Sequence, residues 1–194
     1  MRIVSLVGTS LAGLALLLGT RRSGAQDGAR IPELRPFVGL AAPVGGQRHA
    51  FHAAPIGGVQ LALQRTPHLH VVGTAAWTAG ETKYGASNDE VNVYQLDVGV
   101  EWNARQRLAE GWWTSPFVGA GAGARRYDYH ARELATSTCA EGYGAVGGEY
   151  GLERAALHAE ARGQVFGFHA PLAGAPSRTR AELTFSLAFV YHMR

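Results

Sequence analysis

Four groups of residues in this chain have the types and spacing to do chemistry. His68 and His70 stand two apart and would share a face of a strand, and His158 and His192 fall where they would line the same end of a sheet. Imidazole is a common zinc ligand, but no cysteine or carboxylate stands at ligand spacing from these histidines. The strands that carry them are also far apart in chain order, so one shared metal site is not expected. Gly119-Ala120-Gly121 has the look of a nucleotide loop, but a phosphate cradle needs a helix behind it, and no helical pattern follows. His169, Ser177 and Glu182 supply the types needed for acyl hydrolysis. The largest group is a set of charges at alternate positions: Asp97, Glu101, Glu141, Glu149, Glu160 and Glu182, with Arg125, Arg162 and Arg180. Gathered in one enclosed space, these would form a network of ion pairs. No cofactor is implied by any of the four.

What must position these residues is a series of strands. Eight stretches of alternating or glycine-rich character follow one another: 36–44, 56–65, 68–78, 94–102, 116–129, 139–152, 157–168 and 180–193. In the fourth, Tyr94, Leu96, Val98, Val100 and Trp102 share one face, and Gln95, Asp97, Gly99 and Glu101 share the other. The seventh sets Leu157, Ala159, Ala161 and Val165 against His158, Glu160, Arg162 and Gln164. Helix is disfavoured because 26 glycines are spread through the runs. Connections after the second and sixth runs are short, whereas those after the first, third, fifth and seventh are longer and polar. The stretch 103–115 after the fourth breaks that alternation. Pairing the fourth and fifth runs with Asn103 opposite Ser115 would place Glu101 against Phe117 and Asp97 against Gly121. Pairing the sixth and seventh about Glu153-Arg154 would place Glu149 against His158 and Arg162 against Ala145. Gly119, Gly121 and Gly123 would then point inward, either leaving room for long charged groups or relieving strain in a tightly curved sheet.

Each run has an apolar face, which could look into a core or out into lipid. Three features favour lipid. Trp77 and Tyr94 at one rim, and Trp102, Tyr150 and Tyr191 at the other, occupy the strand ends where amphipathic rings meet a membrane interface. The middles of these faces are Leu, Val and Ala. The polar faces contain both charge signs, as an interior of paired charges would. The runs are mostly long enough to cross a bilayer as tilted strands, which takes roughly 9–11 residues.

The chain of 194 residues opens with Arg2, an apolar run and Ser23-Gly24-Ala25. This is the pattern of a secretory signal, expected to be cleaved after Ala25. Arg2, Arg21 and Arg22 account for the whole formal charge of +3, so the mature chain is neutral and lacks the basic balance of a nucleic-acid binder. The single cysteine, Cys139, excludes an intramolecular disulfide. No apolar run long enough for a transmembrane helix follows the signal, which leaves a closed barrel as the way to span a membrane. The expected organisation is a signal peptide at 1–25, a polar lead-in at 26–35 and a barrel at 36–194.

The last run resembles the terminal assembly signal of bacterial outer-membrane barrels through Thr184, Ser186, Phe189 and Tyr191. Serine stands where glycine is usual, and His192-Met193-Arg194 follow the final aromatic. With Pro116-Phe117-Val118-Gly119-Ala120-Gly121, the Tyr/Trp-ended fourth run and Phe189-Val190-Tyr191, the chain is similar to the small OmpA-like and OmpX-like barrels. The resemblance implies an all-β fold, an eight-stranded antiparallel up-and-down transmembrane barrel. It also implies outer-membrane lipid and, through the C-terminal strand, the barrel-assembly machinery as partners. His169 after Phe168 resembles the lipid A deacylase pattern, but that pattern needs a serine where this chain has Pro171. The reading is therefore a monomeric, non-enzymatic outer-membrane barrel with a plugged, charged lumen and a structural or surface-interaction role. A narrow porin-like channel and a lipid-modifying enzyme are the alternatives.

Overall fold

The computed structural model describes residues 32–45, 48, 51–82, 89–130, 136–168 and 178–192. The expected signal peptide, most of the lead-in, His169, Pro171, Ser177 and Met193 lie outside the described residues. The strands are β1 (Glu33–Val44), β2 (Ala54–Thr66), β3 (Leu69–Thr82), β4 (Asp89–Asn103), β5 (Gln106–Arg107), β6 (Trp112–Tyr129), β7 (Ser137–Leu152), β8 (Ala155–Phe168) and β9 (Arg178–Tyr191). β5 is a two-residue rung. The other eight form an antiparallel meander in the order β4-β3-β2-β1-β9-β8-β7-β6, and pairing of β4 with β6 closes it into a barrel.

The period-two pattern determines what faces where. Val38, Leu96, Val98, Val100, Val146, Phe185, Leu187 and Phe189 are exposed on the outside of the barrel, while Gln60, Asp97, Glu101, Glu149 and Gln164 are buried inside. Closure removes both sheet edges, so the ladder satisfies the backbone donors and acceptors that lipid could not. An apolar exterior around a polar interior is the reverse of a soluble barrel.

Three expectations change. β1 begins at Glu33, inside the stretch expected to be lead-in, so Glu33 and Arg35 belong to the barrel. The β4–β6 register differs by two residues: Glu101 opposes Gly119, and Asp97 opposes Gly123. The cause is the stretch 103–115, which is an extension of the sheet rather than a loose connection. Gln106 and Arg107 pair with Thr114 and Trp113, Ala104 N donates to Pro116 O at 3.0 Å, and Leu108 N donates to Trp112 O at 3.0 Å. The β7–β8 register is as expected, with Glu149 opposite His158 and Arg162 opposite Ala145.

Glycine-lined hollows show how the narrow bore is filled. A Cβ at Gly99 or at Gly121 would overlap the Tyr143 side chain, one at Gly58 would overlap Phe37, and one at Gly147 would overlap Phe117. Most of this space holds aromatic rings. The charged group that uses it is Asp97, which fills the space at Gly123.

Candidate functional site

Because an eight-stranded barrel is just wide enough to be filled by its own side chains, the lumen is where the inward charges must meet. They are stacked around three arginines. Arg35, fully buried, is nearest the end that carries the short β2–β3 and β7–β8 turns. Its guanidinium contacts Glu33 at 2.6 Å, Glu101 at 3.0 Å and Glu149 at 3.1 Å. Arg162 follows: Nε donates to Glu160 Oε1 at 2.7 Å, Nη1 to Asp97 Oδ2 at 3.0 Å and Nη2 to Thr74 Oγ1 at 3.4 Å. Arg125 is the third, donating to Glu141 at 3.0 Å, Glu182 at 2.9 Å, Gln95 at 3.1 Å and Gln164 at 2.7 Å. Histidine links two of these layers. His158 Nδ1 lies 3.1 Å from Glu149 Oε1, and its Nε2 lies 3.7 Å from Glu160 Oε2. The Phe117 ring stacks on it at 4.7 Å.

Aromatic faces complete the coordination. The Arg162 guanidinium sits 4.1 Å from the Tyr143 ring centroid, and that of Arg125 sits 4.6 Å from Phe166. Such stacking is favourable for a planar, weakly hydrated cation. Burying charges this deeply is tolerable only when each is paired and hydrogen-bonded. Among the described residues, a void beside Tyr143 and Arg162 and another beside Gln60 and Thr74 measure about 10 Å³ each. A single water needs roughly 10–15 Å³.

The structure therefore brings together Asp97, Glu101, Arg125, Glu141, Glu149, Glu160, Arg162 and Glu182. Arg180 is half-buried at the opposite end of the lumen from Arg35. Arg162 turns toward Glu160, and its second acid is Asp97. Glu141 belongs to Arg125 instead. The histidines do not assemble. His68 is exposed in the β2–β3 turn near the Trp102 ring, His70 lies inside, 3.8 Å from Glu101, and His192 pairs with Glu33.

Among solved structures, the Neisserial surface protein A (NspA) matches with a TM-score of 0.62 at 11% identity, over 84% of this chain and 97% of that one. This chain has the fold of the small eight-stranded outer-membrane barrels. OprG from Pseudomonas aeruginosa, an outer membrane protein, matches with a TM-score of 0.51 at 12% identity, over 82% of this chain and 94% of that one. No protein-family model matches the chain, and no curated protein matches it.

In this barrel Trp77 and Tyr94 face each other across β3 and β4, both exposed, and Trp77 Nε1 donates to Asn92 Oδ1 at 3.0 Å. Trp102, Tyr150 and Tyr191 are exposed at the other end, where Trp112 joins Tyr150 at 5.1 Å. Along β9, Phe189 and Tyr191 point outward, while Thr184 and Ser186 are buried inside.

Sequence reasoning missed Arg35 and both apolar closures of the lumen. Above Arg125 lies a cluster of Phe51, Val91, Tyr127, Tyr129, Cys139 and Phe166. At the opposite end Trp113 packs with Ala156 and Val190 and meets His192 edge-on at 5.2 Å. A signal for Arg35 was present. With Val38 and Leu40 outward, the same alternation carried back puts Phe37, Arg35 and Glu33 inside.

Proposed function

We propose that this protein is an integral outer-membrane barrel with a plugged lumen, exported by its N-terminal signal, acting as a structural or surface-exposed interaction protein. The single observation that carries the plug is the stack of three buried arginines, each bracketed by at least two carboxylates, with water-sized voids between them. An ion crossing this bore would have to break those pairs in a low-dielectric space, where an unpaired buried charge is costly. The apolar clusters at both ends add dry steps to that path. The exterior supports the membrane reading. Its bare Leu, Val and Phe surface would be an aggregation hazard in water, whereas in lipid it is the ordinary lining of a barrel.

The proposed role is non-enzymatic. Its test has two parts. The protein should fractionate with the outer membrane and migrate differently on gels before and after heating, and the purified barrel should give no steady current in planar bilayers. Recovery as a detergent-free soluble monomer would defeat the membrane reading. Large, stable single-channel currents would replace the plug with a porin.

A further inference from the structure

The strand extension after β4 builds a second feature, distinct from the lumen. Between that ribbon and the β7–β8 turn lies a cleft of about 890 Å³, lined by Arg105, Arg107, Glu110, Trp112, Trp113, Glu153 and Arg154 among others. Its size is that of a ligand site, roughly 300–1,000 Å³. It is also fixed in shape. Glu153 N donates to Gly111 O at 2.8 Å, and Trp113 Nε1 donates to Glu153 O at 3.3 Å, so ribbon and turn are tied together. Gly111 (φ 74°) and Glu153 (φ 52°) both hold left-handed backbone at this junction. That conformation suits glycine but strains a glutamate. The guanidinium of Arg105 rests 3.7 Å from the Trp113 ring centroid, which orients it along the cleft wall.

We propose that this cleft binds a phosphate group. Three guanidiniums from two different turns converge on it against two carboxylates, leaving an excess of positive charge. A carboxylate ligand offers a single negative charge on two oxygens. A phosphate offers three or four oxygens and accepts forks from several guanidiniums at once. The cleft lies at the end of the barrel that carries the chain's first described residues, beside the Trp112–Tyr150 pair of the aromatic girdle. The phosphate could therefore come from a soluble ester or from a phospholipid headgroup of the adjoining leaflet. The proposal needs the barrel fold and not the plug.

Trp112 and Trp113 provide the readout. Folded protein in neutral detergent micelles is titrated with inorganic phosphate, and separately with phosphatidylglycerol doped into the micelles, while tryptophan emission is followed. The R107Q/R154Q double variant removes two forks without touching the Arg105–Trp113 contact. R126Q, on the exposed outer wall of β6, serves as a control for arginine removal away from the cleft. A saturable change in the wild type and in R126Q, weakened about tenfold or more in R107Q/R154Q, supports the site. Saturation by inorganic phosphate assigns a soluble source; saturation by phosphatidylglycerol alone assigns the lipid. Absence of saturation with both probes, or equal binding by R107Q/R154Q and wild type, overturns the proposal. The heat-dependent gel shift of each protein, run in parallel, reports the barrel independently, so loss of the cleft is distinguishable from loss of the fold.

Discussion

Gly123 on β6 stands directly across from Asp97 on β4, and the carboxylate of Asp97 occupies the space that a side chain at 123 would need. The pairing matters because Asp97 is one of the two acids that hold Arg162. A methyl group at 123 would collide with Asp97 Oδ1 and with the backbone of Leu96 and Asp97. Gly123→Ala should therefore destabilise the barrel by about 1–3 kcal/mol, the usual cost of overpacking. Gly144→Ala is the control, because a Cβ there meets nothing within 4 Å. Urea midpoints of refolding into lipid vesicles should fall for the first variant and stay near wild type for the second.

Arg35 gives a larger effect. Its guanidinium bridges Glu33, Glu101 and Glu149, and its removal would leave three carboxylates without their shared arginine in a buried layer. Arg35→Ala should cost about 3–5 kcal/mol, as for other broken buried pairs. Arg35→Lys should recover part of this, since an ammonium restores the charge but not the planar fork. The same vesicle-unfolding measurement checks both, and wild-type stability in Arg35→Ala would show that the layer is not held by charge pairing.

How far the sequence was legible depends on what fixed each register. The face of every strand followed from period-two alternation, and the β7–β8 pairing followed from the tight turn at Glu153-Arg154, which leaves the two strands no freedom to slide. The β4–β6 pairing did not follow, because Asn103 to Ser115 reads as a polar connection while it forms a short ribbon. The slip of two residues kept every face correct but exchanged the partners of Asp97 and Glu101. Trp113 illustrates a second limit. Like Trp112 it falls in the stretch that reads as a connection, yet the pleat sends one outward and the other into the bore. Composition cannot separate them without the register.

The C-terminal strand carries an assembly prediction. Phe189 and Tyr191 are exposed on the outer wall and make none of the lumen's ion pairs, so replacing them leaves the charge layers intact. Phe189→Ala with Tyr191→Ala should lower the yield of heat-shifting protein in the outer membrane by weakening recognition of the strand during assembly. Truncation after Tyr191 removes His192, whose imidazole pairs with Glu33, and should cost stability more than yield. A truncated chain that assembles worse than the double aromatic variant would show that the signal extends past Tyr191.

Arg162 tests whether the stack is a plug. It lies in the middle arginine layer, holds Glu160 and Asp97 at once, and is covered on one face by Tyr143. Arg162→Ala removes the long side chain opposite Ala145, so no bulky neighbour across the β7–β8 pair can fill the gap. The two freed carboxylates would draw in water and cations rather than remain dry and unpaired. A rise in cation-selective conductance over a silent wild type is therefore expected in planar bilayers. Arg162→Met should conduct less than Arg162→Ala, because its side chain refills part of the volume while leaving the charges equally unpaired. Equal conductance of the two variants would assign the block to charge alone. If both were silent, closure would rest on the apolar clusters around Tyr127 and Trp113 rather than on Arg162.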